Sequence, residues 1–409
     1  MVTQLLPFKL PSYKTTSRIK QTINALLVMI VAAAWGYNLL VKPVVDMTPQ
    51  ISSIFPEAAG FEIIASNPKV YSVFREASRD RILGYVVVDS GQGFSGPIKV
   101  MVASNPEGEI VATRVVEHRE WPTWFDMLTK ERFYDQFVDQ KITDPLRLGR
   151  DVEAITGATY SSRGVAEAIR KASHALAAIK FGVEIQEDKE QSELKLGVPE
   201  ISVFLLWAVV ILAKHLKKYR LRWLTMIAGV FVIGYWLKSP VTLSGLVGLS
   251  LGYFPSVREN LVWYMMMAGV LGSTILLGRN LYCFWLCPFG GIQELLALAG
   301  SGKVLSSGSM EKVACRIKYM VVWLGLMVAL TSRVPTTGSY EPFGTAFSLQ
   351  GKGAQWALLG VVLLMGLLVY RFWCRYACPV KVVIELPIAL KRNLNKIFTR
   401  KKTLPVRVE

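Results

Sequence analysis

Four of the five cysteines, Cys283, Cys287, Cys374 and Cys378, sit in two Cys-x-x-x-Cys-Pro runs, each where a long apolar stretch ends. Four thiols gathered at one place are ligands for a metal ion or an iron–sulfur centre. The first run reads Leu281-Tyr282-Cys283-Phe284-Trp285-Leu286-Cys287-Pro288 and the second Phe372-Trp373-Cys374-Arg375-Tyr376-Ala377-Cys378-Pro379. Their first cysteines are 91 residues apart, and the same offset relates Glu294-Leu295 to Glu385-Leu386, so the runs are two copies of one unit. Positions i and i+4 of a helix share a face, which lets each copy present two sulfurs inward as half of a site. The proline after each run is expected to stop the helix and free backbone N–H groups for cluster sulfides. Structural zinc and plain buried thiols are the competing readings of the tetrad. Cys315 has no partner in this pattern and reads as a free thiol in a loop.

A second candidate site is Glu153-Ala154-Ile155-Thr156-Gly157-Ala158-Thr159-Tyr160-Ser161-Ser162. A small-residue turn with hydroxyls at the start of a helix offers free N–H groups and a favourable dipole to a phosphate, although the same hydroxyls also serve as ordinary N-caps. The elements that must position it are legible around it. Period-two stretches at 84–89, 98–103 and 110–116 predict strands of a mixed or antiparallel sheet. Val165, Ala168, Ile169, Ala172, Leu176 and Ala177 predict one apolar face of a helix over 163–179. A small α+β domain follows, with His174 as a structural residue of that helix and the charged stretch 186–193 as a solvated linker.

With 52% hydrophobic residues and a mean hydropathy of +0.36, the chain reads as a membrane protein. Apolar runs at 22–41, 201–213, 224–237, 261–277, 319–331 and 356–372 predict about six spans, against the ~20 residues that cross hydrocarbon. A cleavable signal peptide competes for the first, but 38–42 offers no small-x-small cleavage pattern. The net charge of +17 is uneven: residues 42–195 hold 19 Lys and Arg against 23 Asp and Glu, which leaves 28 against 7 for the rest. Basic clusters before the first span, at 214–222 and at 391–402 flank the membrane, so nucleic acid is not the partner that the charge implies. Both termini are then cytoplasmic and the α+β domain extracytoplasmic. The expected order is a cytoplasmic segment at 1–21, an anchor at 22–41, the outer domain at 42–195, a five-helix membrane domain at 199–386 and a basic cytoplasmic tail at 387–409. Within 199–386, two helical hairpins with outer loops near Ser239-Pro240 and Val334-Pro335 each return to a Cys-x-x-x-Cys-Pro run, which places the tetrad at the cytoplasmic end.

Glu153-Ala154-Ile155-Thr156-Gly157-Ala158-Thr159 resembles the Asp-x-x-(Ser/Thr)-Gly-Ala-Thr motif of FMN-binding domains, found in subunits of sodium-pumping quinone reductases and Rnf complexes and in NosR-type proteins. Gly93-Phe94-Ser95-Gly96-Pro97-Ile98 and His118-Arg119-Glu120-Trp121-Pro122 are similar to two further motifs of that family, Gly-Tyr-x-Gly-Pro-Ile and His-x-Glu-Thr-Pro. Glu153 in place of Asp and Trp121 in place of Thr are departures that leave the attachment hydroxyl intact. The resemblance implies FMN joined through its phosphate to Thr159 by a flavin transferase, with Ala158, Gly157, Thr156, Glu153, His118 and Glu120 around it. An outer FMN domain, membrane hairpins and paired cysteine runs together resemble the NosR/NirI and PceC-like proteins, over 1–386 or so, and no ferredoxin domain follows the second run, unlike in NosR. The resemblance implies a multi-pass protein of the bacterial inner membrane. Its expected role is to pass electrons between an iron–sulfur or iron centre and the flavin, linking a quinone or cytoplasmic donor to an extracytoplasmic reductase. The alternatives are a redox-sensing regulator or assembly factor, and a structural zinc protein with an unmodified outer domain. On the expected topology, ~30 Å of hydrocarbon separates the two centres, which calls for an intermediate carrier.

Overall fold

The computed structural model describes residues 13–41, 46–76, 81–185, 196–300, 302 and 309–402. The linker expected at 186–193 lies outside them. The outer domain is a five-stranded antiparallel meander of β1 (Gly60–Ser66), β2 (Lys69–Phe74), β3 (Ile82–Gln92), β4 (Pro97–Ser104) and β5 (Ile110–Glu117), paired in that order. Three of these strands were expected. The other two were not, because β2 buries five of its six residues and shows no alternation of polarity, while the exposed pattern of β1 reads as surface.

Both faces of the sheet are covered. Val87, Val100 and Val102 face a long helix, Thr159–Phe181, and form one core with Val165, Ile169, Ala172 and Leu176. The residues in alternation with them, Val86, Met101 and Ala103, form a second core with Met47 and Ile51 of a short helix, Thr48–Ile54, and its N-cap. The long helix begins four residues earlier than the apolar spacing alone indicates, so the motif's Thr159 is its first residue. Two glycines set how closely it lies on the sheet. A β-carbon at Gly91 of β3 would come within 2.0 Å of the Gly164 carbonyl oxygen, and one at Gly164 within 2.9 Å of Ile98 Cδ1. The helix start is thereby pressed onto the end of β3.

Helices occupy the six expected apolar runs: Tyr13–Leu40, Val198–His215, Leu221–Gly229 with its π-helical continuation Val230–Trp236, Leu261–Ile275, Ser309–Ser332 and Gly353–Leu368. Among the described residues, one of them, Val198–His215, is long and apolar enough on its own to cross a membrane. The segments Ala25–Leu40, Leu221–Trp236, Leu261–Ile275 and Gly353–Leu368 are shorter apolar helices. Cys315 falls within the Ser309–Ser332 helix rather than in a loop, and its side chain lies outside the described residues. The last helix, Pro379–Lys402, runs through the boundary expected at 386, so the basic segment continues a helix as far as Lys402.

The two connections opposite the cysteine runs each fold into a further short helix, Leu243–Ser250 and Phe343–Ser348. The buried Glu341 ties them together: its two carboxylate oxygens accept from Leu243 N and Ser339 Oγ. Phe289, Phe343 and Phe347 are buried there with Tyr282, Trp285 and Trp373 in one apolar core.

Because Gly164 leaves no room for a side chain, Gly164→Val is expected to destabilise the outer domain by roughly 1–3 kcal/mol or more through overpacking. Denaturant melts followed by tryptophan fluorescence check this, and an unchanged midpoint would contradict the packing described.

Candidate functional site

Each cysteine run is a short helical turn that stops before its proline, as expected, and the proline then opens a new helix. Tyr282–Leu286 is a π-helical turn and Phe372–Tyr376 a single α-turn, and Pro288 and Pro379 open new helices, Pro288–Ala299 and Pro379–Lys402. Proline suits this place, since the first position of a helix needs no N–H donor. Both copies close in the same way, with Cys287 N donating to Tyr282 O and Cys378 N to Trp373 O, each at 2.8 Å. The freed N–H groups expected beyond the prolines are present, and they are directed at cysteine sulfur. Gly290 N donates to Cys287 Sγ and Lys381 N to Cys378 Sγ, both at 3.5 Å. The first cysteines are held by side-chain carbonyls, with Cys283 N donating to Asn280 Oδ1 at 3.0 Å and Cys374 N to Gln293 Oε1 at 3.4 Å.

All four cysteines line one cavity of about 550 Å³. They surround it without converging on a point: among the described residues no group of three or more His, Cys, Asp or Glu stands close enough to hold a single metal ion. Four soft sulfur donors around a space of that size, two of them already receiving backbone N–H bonds, fit an iron–sulfur cluster. The repeats are locked at this level by charge. Glu294, 1% exposed, pairs with Arg222 of one helix and, at 2.6 Å, with Arg371 Nε of the other repeat, and it accepts from Tyr370 Oη at 2.6 Å. Arg371 Nη1 in turn donates to Cys283 O at 3.1 Å, so the residue three before one cysteine run holds the backbone of the other. Glu385, the repeat partner of Glu294, lies on the cavity wall.

In the outer domain, Glu120 joins three motifs that are far apart in sequence. Its Oε1 accepts from Ser95 N at 2.7 Å and its Oε2 from Ser161 Oγ at 2.9 Å, and a β-carbon at Gly93 would lie 2.5 Å from Oε1. Burial holds the Glu120 carboxyl above the usual carboxylate range despite these hydrogen bonds. Ser162 fastens the motif loop, accepting from Ile155 N at 3.1 Å and donating to Ala158 O at 3.1 Å. Gly157 adopts φ +89°, a conformation that glycine takes without strain. Ala158 is the N-cap and supplies no side-chain cap, and Thr159 stands exposed as the first helical residue. Thr156 and Glu153 are exposed on the loop, where Glu153 N donates to Gln136 Oε1 at 2.8 Å. An exposed hydroxyl at an uncapped helix N-terminus, behind a left-handed glycine, fits a phosphate-linked flavin.

His118 stacks on Phe125 with ring centroids 3.7 Å apart, and its Nδ1 is buried without a partner among the described residues. Burial lowers its pKa against the opposing pull of Asp126, so the imidazole is neutral near pH 7. His174, expected to be structural, has Nε2 2.9 Å from Asp144 O.

The two sites meet at the segment 343–350. Phe343 is on the wall of the cysteine cavity and packs on Phe289 with centroids 5.1 Å apart. The neighbouring Gly344 receives Trp124 of the outer domain, whose Cη2 would stand 2.9 Å from a β-carbon there. Further seams fix this docking: Lys352 Nζ is 3.2 Å from Asp126 Oδ2 and Arg163 Nη1 2.9 Å from Glu259 Oε2. Arg119 Nε donates to Arg333 O at 3.0 Å, with the guanidinium over Tyr253. One segment therefore touches both the wall of the cysteine cavity and the outer domain. Trp124, Phe343 and Arg371 gave no local sequence signal for these roles. Glu294 did, through the 91-residue offset.

The FMN-binding domain family matches residues 93–174, and the 4Fe-4S binding domain family matches 259–305 and 356–397, which carry the two cysteine runs. The protein NirI of Paracoccus denitrificans is 31% identical over 32% of this chain and 20% of its own length. The regulatory protein NosR of Pseudomonas aeruginosa is 26% identical over 48% of this chain and 30% of its own. The chain is similar to the NosR/NirI type of FMN-binding protein with iron–sulfur motifs. A component of the ion-translocating oxidoreductase complex of Methanosarcina acetivorans is 32% identical over 30% of this chain and 70% of that protein. The chain spans a third or less of the length of the NosR and NirI relatives.

Because folding lowers the His118 pKa, its contribution to stability is present above its unfolded value of about 6.5 and is lost as pH falls through the lowered value. His118→Gln is expected to flatten the acid side of the outer domain's stability profile. Thermal melts across pH 5–8 check this, and an unchanged profile would contradict the assignment.

Proposed function

We propose that this chain carries electrons across the bacterial inner membrane between an iron–sulfur or iron centre on Cys283, Cys287, Cys374 and Cys378 and an FMN joined by a phosphoester to Thr159. The observation that carries this reading is the segment 343–350, which touches the cysteine cavity through Phe343 and the flavin domain through Gly344. The six helices at the apolar runs are the spans. Both termini are cytoplasmic and the flavin domain is extracytoplasmic, as the basic clusters flanking the helices indicate. A flavin transferase matures the outer domain, a quinone or cytoplasmic carrier donates, and an extracytoplasmic reductase or other redox subunit accepts.

Each residue group has a task in this reading. The thiolates bind the centre, and Gly290 N and Lys381 N stabilise their negative charge. Arg371 and Glu294 hold the two half-sites in register. Thr159 bears the phosphate at the helix N-terminus, Gly157, Ala158 and Thr156 shape its loop, and Glu153 stands at the recognition position for the transferase. Glu120 holds the loop against 93–98, and the neutral His118 lines the site. The flavin and the centre supply the redox chemistry once bound.

A redox-sensing regulator is the second reading, favoured by the description of the NosR relative as a regulatory protein. Steady flux separates the two. In proteoliposomes, reduced quinone or a cytoplasmic donor is expected to reduce the flavin turnover after turnover. Thr159→Val is expected to lose the FMN mass from its peptide and Cys283→Ser to lose the iron, and each loss stops the flux. A flavin that no donor reduces would overturn the transfer reading, and an FMN-sized mass retained on Thr159→Val would remove Thr159 as the attachment point.

A further inference from the structure

Gln350 lies outside every motif and outside the residues matched by either family, yet it meets the flavin loop. Its Nε2 is 3.1 Å and its Oε1 3.8 Å from where a β-carbon would stand on Gly157, two residues before Thr159, with Met127 Cε at 3.6 Å on the same side. Gln350 Oε1 is buried and has no hydrogen-bond partner among the described residues. A buried acceptor left unpaired in this way is unfavourable, and a ligand that donates to it removes the cost. A second unpaired buried nitrogen, His118 Nδ1, lies in the same domain as the loop.

We propose that Gln350 is a flavin-contacting residue, so that the FMN site is built from both halves of the chain rather than from the outer domain alone. This rests on the reading that FMN is attached at Thr159. A carboxamide offers an N–H donor and a C=O acceptor side by side, which matches the alternating carbonyl and N–H groups along the pyrimidine edge of a flavin. The seam holds this amide in place. Lys352, two residues on, pairs with Asp126, Trp124 seats on Gly344, and Arg163, one turn along the Thr159 helix, pairs with Glu259. The side chain that meets the loop is therefore fixed to the segment whose Phe343 lines the cysteine cavity.

The test uses the full-length protein with its attached flavin and two variants, Gln350→Leu, which removes both polar atoms, and Gln350→Glu, which keeps the shape and adds charge. Peptide mass at Thr159 reports attachment, and spectroelectrochemical titration and flavin fluorescence report the contact. The expected result is a flavin still attached in both variants, altered fluorescence in Gln350→Leu, and a lower midpoint potential in Gln350→Glu, because a carboxylate opposes the negative charge that reduction brings. If leucine disturbs the seam, the isosteric glutamate variant decides alone. A wild-type potential and fluorescence in Gln350→Glu would overturn the proposal. Absence of covalent flavin from the wild-type protein would instead overturn the reading on which it rests.

Discussion

The packing of the Phe343–Ser348 helix between Trp124 on one side and the cysteine cavity on the other is the contact on which the rest of the arrangement depends. It works because position 344 is glycine: a β-carbon there would meet the indole at 2.9 Å, and the outer domain would be pushed away. Phe343 and Phe347 anchor the same helix in the apolar core of the helical half. One short element thereby sets the position of the flavin domain relative to the sulfur ligands.

Three buried carboxylates carry the precision of the structure. Burying a charge is costly unless it is paired and hydrogen-bonded, and each of these joins elements that are distant in sequence. Glu120 connects two motif loops and the start of the Thr159 helix. Glu341 connects the two short helices of the repeats. Glu294 receives Arg222, Arg371 and Tyr370, and through Arg371 it reaches the backbone of Cys283. Removing any one of them would strand its partners, so these acids specify geometry more than they add stability.

Much of the site was legible in the sequence because it is written locally. The duplicated cysteine runs share an offset that also marks Glu294 and Glu385, and the flavin motif carries its own glycine and threonine. Period-two and helical spacing found β3, β4, β5 and the long helix, but β2 is buried on both faces and shows no period. The prolines were legible as stops for the helical turns of the cysteine runs, but that Pro288 and Pro379 also open the next helices shows only in the backbone path. The contacts between the halves were invisible for a different reason. Trp124 with Gly344, and Gly157 with Gln350, are pairs roughly 200 residues apart that no periodicity links. The apolar runs also gave no sign that the connections between helices fold into the short helices Leu243–Ser250 and Phe343–Ser348.

The most direct test of the central claim is anaerobic reduction of the purified protein, with no quinone or partner present, followed by the absorbance of the attached flavin. The account predicts that the flavin bleaches when reducing equivalents enter at the cysteine-held centre, and that Cys283→Ser does not bleach under the same conditions. A wild-type flavin that stays oxidised while the cysteine-held centre is reduced would contradict it.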